Sequence, residues 1–209
     1  MPSIEQSPIF QAAKKYYDPR LPYHNWDHVL QTYAASRKII KNCQSENIEV
    51  DEVVVDLSIA FHDADYIKDH LILGFSTKEA LSVSIAEKEL PKYNFESYIT
   101  KVKQGIMATD PTTPLITIEQ KIIRASDLAG LAGNYKNFKK NNLLLKQEAE
   151  MRTGNKFTGD EWKMLTNNII VNFLSQNIQL TKHYFDKNGN STFQVNARRN
   201  LKTFFAEII

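Results

Sequence analysis

An all-α protein is predicted by three observations. Apolar residues recur at helical spacing along most of the 209 residues, glycine and proline are few at seven each, and no convincing pair of alternating strands occurs. Hydrophobic residues make up 42 % and charged residues 24 %, which is the balance of a globular domain. A chain of this length suffices for one generous domain and is short for two. No repeat, low-complexity tract or Pro/Gly/Ser-rich linker divides it. The expectation is a single helical domain over 1–209.

The elements follow in order. A first short helix is expected over residues 9–17, stopped before Pro19. A second starts near Asn25 and runs to about Cys43, with Val29, Tyr33, Ile39 and Ile40 on its inner side. A third covers residues 51–64. Its run Val53-Val54-Val55 could pass for a strand, but apolar residues at Val50, Val53, Val54, Leu57 and Phe61 fit helical spacing better. The fourth begins at Thr77, where Ser76 and Glu79 form a capping-box pattern. Further helices are expected over 96–108, 117–132, 135–152, 159–175 and 192–208.

Charge and composition exclude few classes. The formal net charge is +2, too near zero to argue for or against nucleic acid. No stretch approaches the roughly 20 apolar residues of a membrane-spanning helix. The opening MPSIEQSPIF carries an acidic residue and a proline where a secretory signal would carry basic residues. A lone cysteine, Cys43, forbids an intramolecular disulfide. A cytoplasmic protein is expected.

Three segments carry chemistry. His24 and His28 stand four apart in YHNWDH, residues 23–28, so a helix through both would place them on one face. A zinc-protease motif uses that spacing with Glu beside the first His, but Asn25 stands there and supplies no base. The spacing alone is explained more readily by a helix-face coincidence or by hydrogen bonding to a neighbouring ligand than by a metal pair. In AFHDADY, residues 60–66, the pair His62-Asp63 ends an apolar helical run. His favours the negative end of a helix dipole, whereas Asp does not. Imidazole nitrogen and carboxylate oxygen both suit borderline divalent metals, and adjacent helical residues diverging by about 100° can still reach an ion lying between helices. Asp127 falls four residues after Ile123 and four before Leu131, on an apolar face. A carboxylate there requires a partner. That partner is either a metal or a basic neighbour, Arg124 or Lys121.

The order His28, then His62-Asp63, then Asp127 resembles the HD-domain superfamily of metal-dependent phosphohydrolases. The segments YHNWDH and AFHDADY resemble in particular a group of small predicted HD phosphohydrolases, with partial matches at Thr77-Lys78-Glu79 and Ala125-Ser126-Asp127-Leu128-Ala129. The resemblance covers about 20–133, the expected metal-site core, leaving helices in 134–209. It reaches weakly to Asn196-Ala197-Arg198-Arg199-Asn200. It implies an HD-domain helical bundle and the metal ligands His28, His62, Asp63 and Asp127. Relatives often carry a histidine after a threonine ahead of the last Asp, but this chain reads Met107-Ala108-Thr109-Asp110-Pro111. Two-metal members need further histidines between the His-Asp pair and the final Asp, and here that interval holds only His70. One divalent ion is expected, with Mn, Co, Mg, Zn, Fe and Ni undistinguished. The same reasoning counts against a di-iron oxygenase.

Two neutral and two anionic ligands would make the site formally neutral around a divalent ion, so an anionic substrate is not repelled. Arg20, Lys68 and Lys78 are the candidate substrate-binding cations, by proximity in sequence. Asp63, Glu79 and His24 are the candidate catalytic groups: Glu79 as acid, base or water orienter, His24 on the substrate phosphate or holding a ligand. Asp65 and Tyr66 follow the metal pair as cavity-wall candidates. Asp186-Lys187-Asn188-Gly189-Asn190 begins like a calcium loop but fails at Ser191 and Ala197. The basic stretch Lys136, Lys139, Lys140 reads as a solvated helix face. The expected activity is hydrolysis of a phosphoester or phosphoanhydride of a small molecule, nucleotides being the leading class. The alternative is a non-catalytic nucleotide-binding or regulatory module that retains the metal site. A small phosphorylated partner is expected, nucleic acid and membrane are not, and a homo-oligomer is compatible with the chain.

Overall fold

The computed structural model describes residues 6–174, 178 and 180–207 and is all-helical. Its α-helices are α1 (Pro8–Lys14), α2 (Trp26–Ser45), α3 (Glu52–Phe61), α4 (Lys78–Glu89), α5 (Ile99–Met107), α6 (Ile118–Asp127), α7 (Ala129–Ala132), α8 (Tyr135–Thr153), α9 (Gly159–Leu174) and α10 (Thr192–Ala206). The expected helix ends at Ser175 and Ile208 lie outside the described residues. Within the described residues, no helix is long and apolar enough to cross a membrane. The chain divides into two compact units, Met1–Ser126 and Asp127–Ile209. That division falls seven residues before the 133/134 subdivision expected from the sequence.

In the first unit α3 is central and packs against α1, α2, α4 and α5. Asp51 caps it by accepting the Val54 N–H, so the valine run starts a helix rather than a strand. Leu57, Ile59 and Phe61 are fully buried, and each contributes about 2 kcal/mol by leaving water. Gly105 lets α5 cross α3 closely, because a Cβ there would stand 2.2 Å from the Ser58 Oγ. Phe10 meets Trp26 and Tyr33 edge-on, which ties α1 to α2.

Several helix ends differ from the sequence expectation. A 3₁₀ turn, Glu96–Tyr98, precedes α5 where a continuous helix is expected. The expected helix 117–132 breaks at Leu128 into α6 and α7. Its start is as expected: the Gln120 side chain accepts the Thr117 N–H at 2.9 Å while Thr117 Oγ1 accepts the Gln120 N–H at 3.3 Å. For α4 the cap is Thr77, not Ser76. Its hydroxyl accepts the Ala80 N–H, so the predicted Ser76–Glu79 box does not form.

The second unit has its own core of Phe138, Trp162, Ile170, Leu174, Ala197, Leu201 and Phe204. Asn134 caps α8, and Gly154 ends it in the left-handed region at φ +73°. The amide of Asn200 donates to the carbonyls of Leu131 and Gly133 at 3.0 and 2.9 Å, securing the turn after α7.

Candidate metal centre

The site begins where α2 begins. The Asn25 side chain accepts the Asp27 N–H at 2.9 Å and donates to the Leu21 carbonyl at 2.8 Å, so the helix starts at Trp26. His28 is then its third residue and is buried. His24 precedes the cap. The two histidines do not share a helix face; the His24 ring instead stacks on Tyr66, with centroids 3.7 Å apart and planes 15° apart. Tyr23 packs against the His28 ring at 4.7 Å.

His62 follows the last residue of α3 and is 1 % exposed. Its Nδ1 lies 2.8 Å from the Ile59 carbonyl oxygen, so Nδ1 donates to that acceptor and Nε2 faces His28 and Asp63, where it can bind a metal once it is deprotonated. His62 Nε2 stands 3.3 Å from His28 Nε2. Asp63, 3 % exposed, brings Oδ2 to 3.1 Å from His62 Nε2 and 3.6 Å from His28 Nε2. Its backbone N–H donates to the Tyr17 hydroxyl, which donates in turn to the Ala60 carbonyl.

Asp127 is the last residue of α6 and is half-buried. The register of α6 is held by Arg124, a fully buried guanidinium that donates to the carbonyls of Ala108 and Asp110 at the end of α5. His28, His62 and Asp127 each offer one ligand atom, and the three atoms lie within 4.8 Å of one another. Such a group can hold a metal ion. The donor set fits one: two nitrogens each about 2.05 Å from an ion at the tetrahedral angle lie about 3.3 Å apart, and imidazole with carboxylate is the chemistry of divalent transition metals. The carbonyl end of α3 adds partial negative charge that favours a cation there.

Charge at the centre is balanced by one lysine. Lys78, in the first turn of α4, places Nζ 3.2 Å from Asp63 Oδ1 and 3.3 Å from Glu79 Oε1, and 4.9 Å from the Tyr66 ring centroid. Burial alone would raise the Asp63 carboxyl. The positive charge of His62, Lys78 and His24, with a hydrogen bond from His62, outweighs burial and holds it well below the usual carboxylate range. Glu79 is buried beside Lys78. With the capping box gone, its burial has no explanation in helix initiation.

The remaining predicted cations are engaged locally. Arg20 forks onto Asp18, two residues away, and Lys68 pairs with Asp65 at 2.7 Å. His70 lies in the turn-rich segment after the metal pair and is not one of the three grouped ligands. From the sequence Tyr16, Tyr17, Tyr23 and Trp26 read as an aromatic cluster around YHNWDH, core or cavity wall or a stacking surface for a nucleobase. The structure adds that Tyr23 packs on the His28 ring and that the Tyr17 hydroxyl links Ala60 to Asp63. Their signal was adjacency to His24 for Tyr23 and a place two residues before Pro19 for Tyr17. No family model matches the chain, and no curated protein matches it. Fold and site together define an all-α protein with a candidate His/His/Asp metal centre.

Proposed function

We propose that this chain is a metal-dependent phosphohydrolase of the HD-domain superfamily, cleaving a phosphoester or phosphoanhydride bond of a small molecule, with nucleotides the leading class. The observation that carries the reading is the convergence of two buried imidazole nitrogens, 3.3 Å apart, with the Asp63 carboxylate beside His62 and the Asp127 carboxylate from α6, His62 Nδ1 being committed to a carbonyl. His28, His62, Asp63 and Asp127 would hold the ion. When bound, a divalent ion lowers the pKa of water and polarises a phosphoryl oxygen.

The chain's own residues supply the rest. Lys78 presents a cation to phosphate oxygens from the rim of the centre, its side chain being 39 % exposed. Glu79, whose carboxylate lies 3.3 Å from the Lys78 ammonium, would orient or deprotonate the attacking water, and His24, its ring 5.7 Å from that of His28, would meet the phosphate or protonate the leaving group.

Metal analysis of the purified protein, followed by a nucleotide panel with Mn²⁺, Co²⁺, Mg²⁺ and Zn²⁺, tests the reading, with Asp63→Ala as the control. Metal-dependent turnover that Asp63→Ala abolishes is expected. Turnover surviving in Asp63→Ala sinks the mechanism, and failure to bind any divalent ion sinks the site. Metal binding with no turnover across the panel would favour a non-catalytic nucleotide-binding module.

A further inference from the structure

Tyr66 touches the two nitrogen groups of the site that come from outside the ligand set. It follows Asp65, whose backbone is left-handed at φ +60°. That bend is held by the Asp65 N–H donating to the Tyr16 carbonyl at 2.9 Å and the Tyr66 N–H to the Asp63 carbonyl at 3.2 Å. The Tyr66 backbone is therefore tied to the residue that carries the metal-site carboxylate.

On its ring lie the His24 imidazole, stacked at 3.7 Å, and the Lys78 ammonium at 4.9 Å. These two groups come from different segments: His24 from the turn before α2, Lys78 from the first turn of α4. A lysine chain with four rotatable bonds loses much freedom in one pose, and an aromatic face beneath its ammonium defines that pose. The same ring fixes the plane of His24. Two nitrogen donors held beside a divalent-ion site match the oxygens of a phosphate group.

We propose that Tyr66 is a positioning residue: its ring aligns His24 and Lys78 as the phosphate-binding edge of the metal centre, setting affinity for phosphate and not for the ion. The choice of phosphate rests on the function proposed above. The test is isothermal titration of the full chain with Mn²⁺ alone, then of the Mn²⁺-loaded protein with inorganic phosphate. Tyr66→Phe keeps the ring and is expected to match wild type in both titrations. Tyr66→Leu is expected to bind Mn²⁺ within about threefold of wild type and phosphate at least about tenfold more weakly, with the His24 imidazole resonances shifted.

Phosphate affinity within threefold of wild type in Tyr66→Leu overturns the inference. Equal losses of Mn²⁺ and phosphate affinity overturn it too, because they mark a folding role. If Tyr66→Leu does not fold, His24→Gln and Lys78→Gln decide. Each removes one group the ring holds, and each must weaken phosphate at least fivefold with Mn²⁺ binding retained; phosphate binding left intact in either overturns it. Wild-type protein that binds Mn²⁺ but no phosphate overturns this inference and leaves the metal centre standing. Wild-type protein that binds no divalent ion removes the metal centre itself.

Discussion

Helix α3 carries a charge cluster toward each end, and the two behave oppositely. Toward its start, Arg37 from α2 bridges Glu52 at 2.6 Å and Asp56, and lies over the Tyr33 ring at 4.8 Å. There burial dominates. It pushes the Asp56 carboxyl up to about 6, despite the Arg37 charge and hydrogen bond that oppose it. Past its end, Asp63 is more deeply buried yet is held low by His62, Lys78 and His24. A buried carboxylate alone does not mark a site. What distinguishes Asp63 is company: imidazole nitrogens with lone pairs to give, which a guanidinium lacks. The Arg37 cluster can close only on itself, whereas His62, beside Asp63, belongs with His28 and Asp127 to a group that could hold a cation.

The largest effect that tests this contrast is expected from paired alanine substitutions. Asp63→Ala should weaken divalent-ion binding by about 100-fold or more and lower turnover by at least about 1000-fold. Asp56→Ala should leave both within about threefold and act on stability instead. Titration of Mn²⁺ into each variant gives the first readout and steady-state hydrolysis the second. If Asp56→Ala costs as much metal affinity as Asp63→Ala, the two clusters are not functionally distinct.

Removing the cation from each cluster gives the next effect. Arg37→Met leaves Glu52 and Asp56 without their shared partner and should destabilise the protein by about 2 kcal/mol, read as a lowered denaturation midpoint. Lys78→Gln should cost little stability, because that ion pair is partly exposed. It should instead tighten Mn²⁺ binding about threefold to tenfold, since a positive charge beside Asp63 competes with the ion. Weaker Mn²⁺ binding in Lys78→Gln would mean that the lysine orders the ligands rather than competing with the ion.

Most of this fold was legible because burial imprints a helical period on the sequence, and α2, α5, α6 and α10 carry that period most clearly. Ends were less legible. Ser76 and Thr77 both carry a hydroxyl, so the sequence offers two caps for α4, and the break at Leu128 interrupts an unbroken apolar pattern. In the site, His62-Asp63 and Asp127 stood out as polar residues on apolar faces, which a local pattern can reveal. The contacts of Tyr66 with His24 and of Arg37 with Asp56 depend on which helix meets which, and no local pattern encodes that. Sequence proximity pointed to Arg20 and Lys68, yet nearer carboxylates engage them.

The smallest effect separates the clusters by pH. Asp56 has a folded-state pKa near 6, above the roughly 3.9 of an unfolded aspartate. Folding therefore favours its protonated form. The stability this confers is fully present below about pH 4 and is lost as pH rises through about 6. Between those limits its contribution should fall by at most about 3 kcal/mol, and by less because the Arg37 pair keeps some solvent. Asp63 runs the other way: its pKa is depressed, so its contribution persists as pH falls and is lost only below the usual carboxylate range. Urea denaturation of metal-free wild type and Asp56→Asn between pH 4 and 7 isolates the first effect, because Asn cannot titrate. The stability difference between the two proteins should move steadily against wild type as pH rises. A difference that stays flat would mean that Arg37 keeps Asp56 ionised throughout, and the two ends of α3 would then share one electrostatic character.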